Sequence, residues 1–190
     1  MCSKTHHTAV AVLPPKEIWE PIQAIRRRHD RQFHRWMPHI NLLYPFLPRA
    51  QWTIAVPRLI DAAQQMPAFQ ITLAICLSFT HPSGKTTLWL APEPAHTLLH
   101  LQATLQAAIP TCDEQSRLPG GFTPHLSVGQ ARSPQTMEHL LGTLQATWQP
   151  VRFTVTAVAV IWRQGEKPFQ VGEWIPLSPA ADCGAALPHP

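Results

Sequence analysis

Short apolar blocks, each closed by proline or glycine, set the pattern of this chain. Residues 8–13 (TAVAVL) form a run of small and β-branched side chains stopped by Pro14 and Pro15, which reads as a buried strand. Residues 16–28 then place Ile18, Trp19, Ile22 and Ile25 at helical spacing. After a polar, arginine-rich stretch, residues 39–46 (HINLLYPF) read as a strand halted by proline, and residues 57–65 as a helix with Pro57 in its first turn. Residues 69–79 and 86–90 pair as a hairpin across the turn at 81–84. The order then repeats: a helix over 94–109, a strand over 122–128, a helix over 133–148 opened by Ser133 and Pro134, and a closing hairpin of 151–162 with 169–177. Two similar halves follow one another, each with a histidine on a strand. Residues 179–190 are small and proline-rich, and read as a frayed tail.

Composition narrows this picture. With 190 residues, 45% of them hydrophobic and 14% charged, the chain suits one compact unit or two small lobes sharing a core. Its 21 prolines are about twice the usual share, which implies many short, sharply ended elements. A net charge of +4 favours anionic ligands but is too small for a surface that coats nucleic acid. Cys2, Cys76, Cys112 and Cys183 stand singly; a reducing compartment fits them, with Cys76 as a small core residue. No leader pattern or long apolar run is evident, so the expectation is a cytoplasmic monomer with no membrane association.

The chemistry concentrates in two segments, Pro38-His39-Ile40-Asn41-Leu42 and Pro124-His125-Leu126-Ser127-Val128. On a strand, residues two apart project from one face, roughly 6.7 Å from each other. His39 should therefore stand beside Asn41, and His125 beside Ser127, with the aliphatic residues turned inward. Two histidines suit displacement at a phosphodiester: one imidazole takes a proton from the attacking hydroxyl or water and the other protonates the leaving oxygen. Asn41 and Ser127 would donate hydrogen bonds to the non-bridging phosphate oxygens. Either motif alone reads more simply as a buried histidine; two complete copies in equivalent places of two halves favour catalysis. His6-His7-Thr8 has the spacing without the flanking proline, and Pro188-His189 has no strand after it. Ser83-Gly84-Lys85-Thr86 resembles the end of a phosphate-binding loop, but Phe79 stands where that loop needs glycine. The 11 histidines lack the spacing and partners of a metal site, so neither metal nor cofactor is expected.

The two signatures, His39-Ile-Asn-Leu and His125-Leu-Ser-Val, resemble the paired H-x-[T/S]-hydrophobic motifs of the 2H phosphoesterase superfamily. Their surroundings, WMPHINLLYPF and FTPHLSVGQ, are most similar to the 2′-5′ RNA ligase-like cyclic nucleotide phosphodiesterase group. That resemblance implies an α+β bilobal domain over residues 1–178. Two antiparallel sheets with outer helices would be related by a pseudo-twofold axis around a central cleft, with one histidine from each lobe facing it. It also implies action on 2′,3′-cyclic phosphates or 2′-5′ linkages of nucleotides or RNA ends. Asn41 departs from the family's Thr or Ser; an amide still donates to phosphate, so altered contact geometry rather than lost activity is expected.

Several neighbours carry two readings. Arg26, Arg27, Arg28, Arg31 and Arg35 are a solvated helix end, or else Arg31 or Arg35 reaches phosphate. Trp36, Phe122 and Trp162 are core aromatics or base-stacking platforms. Arg163 could sit at the cleft rim by family resemblance, or on plain surface. Strict alternation turns Tyr44 away from the face of His39 and Asn41, which argues for a core or strand-end contact. Two rivals stay open: a non-catalytic module that binds a nucleotide or RNA end, kept alive by Asn41, and an RNA-processing 3′ exonuclease, which would need a longer basic groove.

Overall fold

A computed structural model describes residues 3–80, 86–131 and 133–180. In chain order the elements are β1 (Thr8–Val12), α1 (Trp19–His29), β2 (Ile40–Leu43), α2 (Trp52–Ala63), β3 (Phe69–Thr80), β4 (Thr86–Glu93) and α3 (Ala95–Ala108). They continue with β5 (Leu126–Ala131), α4 (Pro134–Thr147), β6 (Val151–Val155), β7 (Ala157–Trp162) and β8 (Gln170–Pro176). The expected α+β class holds, with two antiparallel four-stranded sheets ordered β2-β1-β7-β8 and β5-β4-β3-β6 among the described residues. Helices α2 and α3 lie against the first sheet, and α1 and α4 against the second.

The sheets do not follow the two halves of the chain. The first takes the opening pair of strands and the closing hairpin, while the second takes everything between. The run over 151–162 is accordingly two strands rather than one. Its side chains in the main core sit at odd positions, Phe153 and Val155, and then at even ones, Val158 and Val160, while Ile161 is buried on the other face. That change of parity at Thr156 marks where the chain leaves the second sheet for the first. A second difference concerns α2, which begins at Trp52 and carries Pro57 inside it. An interior proline costs about 3 kcal/mol; burial of Trp52, Ala55, Leu59, Ala62 and Ala63 along one face offsets it. The Ser133 cap on α4 forms as expected, its Oγ accepting from Thr136 N at 3.2 Å with Pro134 following. The turn at 81–84, most of the tail and Cys2 and Cys183 lie outside the described residues, whereas Cys76 and Cys112 are buried free thiols.

In both sheets the histidine-bearing strand is an edge strand, and β2 and β5 are in contact with each other. Each also carries a bulge at the same distance from its histidine. Asn41 pairs with Ala11 but Leu43 with Val10; Ser127 pairs with Trp89 but Gly129 with Leu88. The extra residue turns two successive positions toward the helices: Leu42 and Leu43 are both fully buried in the main core. Alternation is thereby reset, and Tyr44 returns to the cleft face, where it packs with Ala9, Ala11, Trp36 and Phe169. The expectation that Tyr44 points away fails for this reason. At the position of β5 that matches Leu43 the helix α1 passes so closely that a Cβ on Gly129 would lie 2.8 Å from His29 Cβ and 3.3 Å from its carbonyl oxygen. Gly129→Ala should therefore lower stability by roughly 1–3 kcal/mol, read as a reduced urea midpoint at unchanged m value.

Candidate active site

His39 and His125 each sit one residue ahead of their strand, and they are held alike. His39 Nδ1 lies 2.8 Å from Met37 O, and His125 Nδ1 lies 2.7 Å from Thr123 O, the carbonyl two residues back in both cases. A carbonyl only accepts, so Nδ1 carries the proton in each ring and Nε2 is the nitrogen left for chemistry. The two imidazoles are close enough that His125 disfavours a charge on His39.

Their surroundings differ. His39 stacks on Trp36, with ring centroids 4.4 Å apart and planes 14° from parallel, and Trp36 stacks in turn with Phe169 at 3.7 Å. Burial pushes the His39 pKa down to about 4, the Met37 carbonyl opposing and the positive charge of Arg26 reinforcing the shift. Asn41 Nδ2 donates to the bare His39 Nε2 at 3.1 Å, while Asn41 Oδ1 is buried without a partner. His125 meets ring edges instead: Phe79 at 5.4 Å and Trp89 at 5.9 Å. Trp89 stands across the β4–β5 ladder from Ser127, and its indole N–H is buried with no partner.

The loop that delivers His39 is fixed by a buried ion pair. Arg26 and Asp30 are joined at 2.8 Å, with side chains 1% and 4% exposed. Arg26 Nη2 also donates to Trp36 O, and Gln130 of β5 donates to Asp30 Oδ1 at 3.1 Å. Gln130 Oε1 in turn accepts from Arg31 N at 3.0 Å.

Comparison with known proteins gives this arrangement a family. The model of the 2′-5′ RNA ligase superfamily matches residues 14–167. The chain belongs to that superfamily. A Bacillus licheniformis protein named "Putative phosphoesterase" is 21% identical over 137 residues, which are 72% of this chain and 78% of that one. Escherichia coli LigT complexed with 3′-AMP superposes with a TM-score of 0.59 at 20% identity, covering 90% of this chain and 98% of the other. TT0787 of Thermus thermophilus gives 0.55 at 20% identity, covering 91% and 98%. At such identities the likeness is one of fold, and it is the 2H phosphoesterase fold that the two motifs implied.

Within the superfamily frame, the other residues singled out in the sequence separate clearly. The arginine cluster is largely paired: Arg26 with Asp30, Arg27 with Glu20 at 3.2 Å, and Arg35 with Glu166 at 2.6 Å. It is not a uniformly solvated helix end, since Arg26 is buried. Arg163 lies 3.5 Å from Glu166, with its guanidinium 5.7 Å from the Phe169 ring and its Nε buried and unpartnered. Arg35 and Arg163 both face Tyr44, whose phenol is pushed up by burial against their opposing charge. Phe122 is 7% exposed and belongs to the main core. Trp162 packs against that same core and carries Arg49 over its ring at 3.9 Å. It therefore sits on the opposite side of β7 from Ala159 and Ile161, which floor the cleft face. Neither aromatic is brought to the histidines. Trp36 is, but its stacking neighbours are His39 and Phe169.

Sequence reasoning missed Phe169, Trp89 and the buried role of Arg26. Trp89 and Phe169 become visible only through strand pairing and loop contacts; the i,i+4 spacing of Arg26 and Asp30 was a signal that could have been weighed. Among the described residues no three His, Cys, Asp or Glu side chains converge as a metal-binding group, and no helix is long and apolar enough to cross a membrane.

The His39 ring should titrate near pH 4 in its NMR Cε1–H resonance, and a midpoint near the ordinary value of about 6.5 would contradict the burial argument. Because the folded value lies below the unfolded one, the unfolded chain binds the extra proton first as pH falls. Stability should be full above about pH 6.5 and be lost progressively between there and pH 4, with His39→Gln flattening that slope in urea titrations.

Proposed function

We propose that this chain is a metal-independent phosphodiesterase that opens 2′,3′-cyclic phosphates or cleaves 2′-5′ linkages on nucleotides or RNA ends, with His39 as base and His125 as acid. Superfamily membership supports phosphoesterase activity. The observation that carries the finer reading is the matched pair of imidazoles, each with Nδ1 pinned to a carbonyl and Nε2 reserved for the reaction. The depressed pKa of His39 keeps its ring neutral at physiological pH, which suits a base.

In cyclic phosphate hydrolysis, His39 Nε2 takes one proton from water as the water oxygen bonds to phosphorus. The bond to one ribose oxygen breaks, and that oxygen receives the proton from Nε2 of protonated His125. The phosphomonoester leaves with the second water proton still to be shed, and the two rings return to their starting states by exchange with solvent. Ser127, beside His125, and the unpartnered indole N–H of Trp89 suit the non-bridging oxygens as charge accumulates there.

A cavity of about 700 Å³ supports a nucleotide as substrate. It shares Trp36 and Met37 with the His39 loop, and Trp19, Phe33, Phe169 and Trp174 add aromatic walls, with Lys16 at its edge. Trp174 is 55% exposed there, an open platform for a base. LigT has been crystallised with 3′-AMP and with ATP, and a cavity of this size has room for a purine; it adjoins the His39 loop through Trp36 and Met37, and none of His39, Asn41, His125 and Ser127 lines it.

His39→Ala and His125→Ala should each lower kcat on 2′,3′-cyclic nucleotides by on the order of 10²–10⁴-fold while folding normally, with wild-type activity unaffected by chelator. Wild-type turnover by both variants would sink the reading, as would a requirement for added metal. Trp174→Ala should raise KM several-fold with little change in kcat, since stacking is worth about 1–3 kcal/mol per base.

A further inference from the structure

Asn41 stands where the superfamily motif carries Thr or Ser, and its contacts are those of an amide with two uses. Met37 O fixes the proton on His39 Nδ1, so His39 Nε2 presents a bare lone pair, and Asn41 Nδ2 donates to it at 3.1 Å. The amide is thereby oriented with Oδ1 turned the other way, buried and without a partner. Two consequences follow from this geometry. An acceptor repels phosphate oxygens, so in this state Asn41 Oδ1 suits a hydroxyl or a water rather than the phosphate contact expected of the motif. The lone pair that Asn41 occupies is also the one a base must use, so the bond has to be surrendered before His39 can take a proton.

Resting on the phosphodiesterase reading above, we propose that Asn41 is a two-position relay. With His39 neutral, its N–H caps Nε2 while Oδ1 accepts a hydrogen bond from the incoming hydroxyl or water. As the nucleophile's proton passes to His39, the amide turns end for end. Oδ1 then accepts from the new Nε2–H, and the amino group faces the non-bridging oxygens that have gained charge. No atom is exchanged beyond that one proton, and each orientation satisfies the ring in the state it serves. A buried amide oxygen left without a partner is unfavourable, which favours filling the Oδ1 position with a donor. The charged and titratable groups facing His39 are Arg26 and Asp30 from α1 and the loop after it, and His125 ahead of β5. None of these can supply both a donor and an acceptor at Nε2. Ser127 stands at the corresponding place in the second motif, where a hydroxyl changes from donor to acceptor by rotating about one bond, so an end-for-end turn belongs to the His39 side alone.

The test follows the Asn41 side-chain amide by nitrogen-15 NMR as His39 is titrated in the wild-type protein, with no substrate and no variant required. The relay requires the two Asn41 amide protons to shift with the same midpoint as His39 Nε2. Amide resonances that stay fixed while Nε2 protonates would overturn it. In kinetics on 2′,3′-cyclic nucleotides, Asn41→Thr should retain activity within about 10-fold, because a hydroxyl also both donates and accepts. Asn41→Leu should lose on the order of 100-fold in kcat with KM held within a few-fold. Full activity in Asn41→Leu would count against the relay. Absence of turnover by the wild type on every such substrate would instead count against the phosphodiesterase reading, and the amide titration would still decide whether the relay exists.

Discussion

The buried Arg26–Asp30 pair joins the parts on which the candidate site depends. Its guanidinium holds the carbonyl of Trp36 and the side chain of Gln23, and its carboxylate receives Gln32 N and the amide of Gln130 from β5. One ion pair thus ties α1, the loop that carries Trp36 to His39, and the edge strand of the other sheet. A buried pair of this kind adds little to stability by itself, because two charges must leave water. Removing one partner is a different matter, since the other would be left buried and unpaired, at about 3–5 kcal/mol. The pair is better understood as setting geometry: it fixes where Trp36 lies, and Trp36 in turn covers one face of the His39 ring and strips water from it.

The second constraint is that both histidines ride on sheet edges. Edge strands expose unpaired backbone groups, and here the two edges lie against one another where the sheets meet. A histidine just before such a strand can fold its Nδ1 back onto the carbonyl two residues earlier, which is free because the ladder has not yet begun. The matching bulges then carry the chain away from the seam at equal distances from the two rings. Local backbone geometry is therefore repeated on both sides, while the environment is not. Stacked aromatics enclose His39, and ring edges border His125.

Small residues make that asymmetry possible. Ala9, Ala11 and Ala159 floor the cleft face of the first sheet, all fully buried. Their short side chains leave height for Trp36 and Phe169 to lie flat above them, and the aromatic-walled cavity opens beyond. Glu166, reaching both Arg35 and Arg163, anchors the loop that supplies Phe169.

The sequence by itself determined most element types, the two motifs and the pairing of His39 with Asn41, because strand alternation and capping are local physics. Ser133 and Pro134 announced α4, and the proline-flanked His-x-polar-aliphatic repeats stood apart from His6-His7-Thr8 without any structure. Only the tertiary structure decided which strands share a sheet, that residues 151–162 cross between sheets, and that Tyr44 returns to the cleft. Those outcomes rest on strand partners and on bulges, which are set by what lies across the ladder rather than by neighbours in the chain. The same holds for charge. Five arginines within ten residues look alike in sequence, yet burial beside Asp30 makes Arg26 a structural anchor, while its neighbours remain near water. Asn41 shows the limit most plainly: its identity was legible as a departure from the motif. Which end of its amide meets His39 depended on a carbonyl two residues before the histidine, and that contact exists only once the chain has folded.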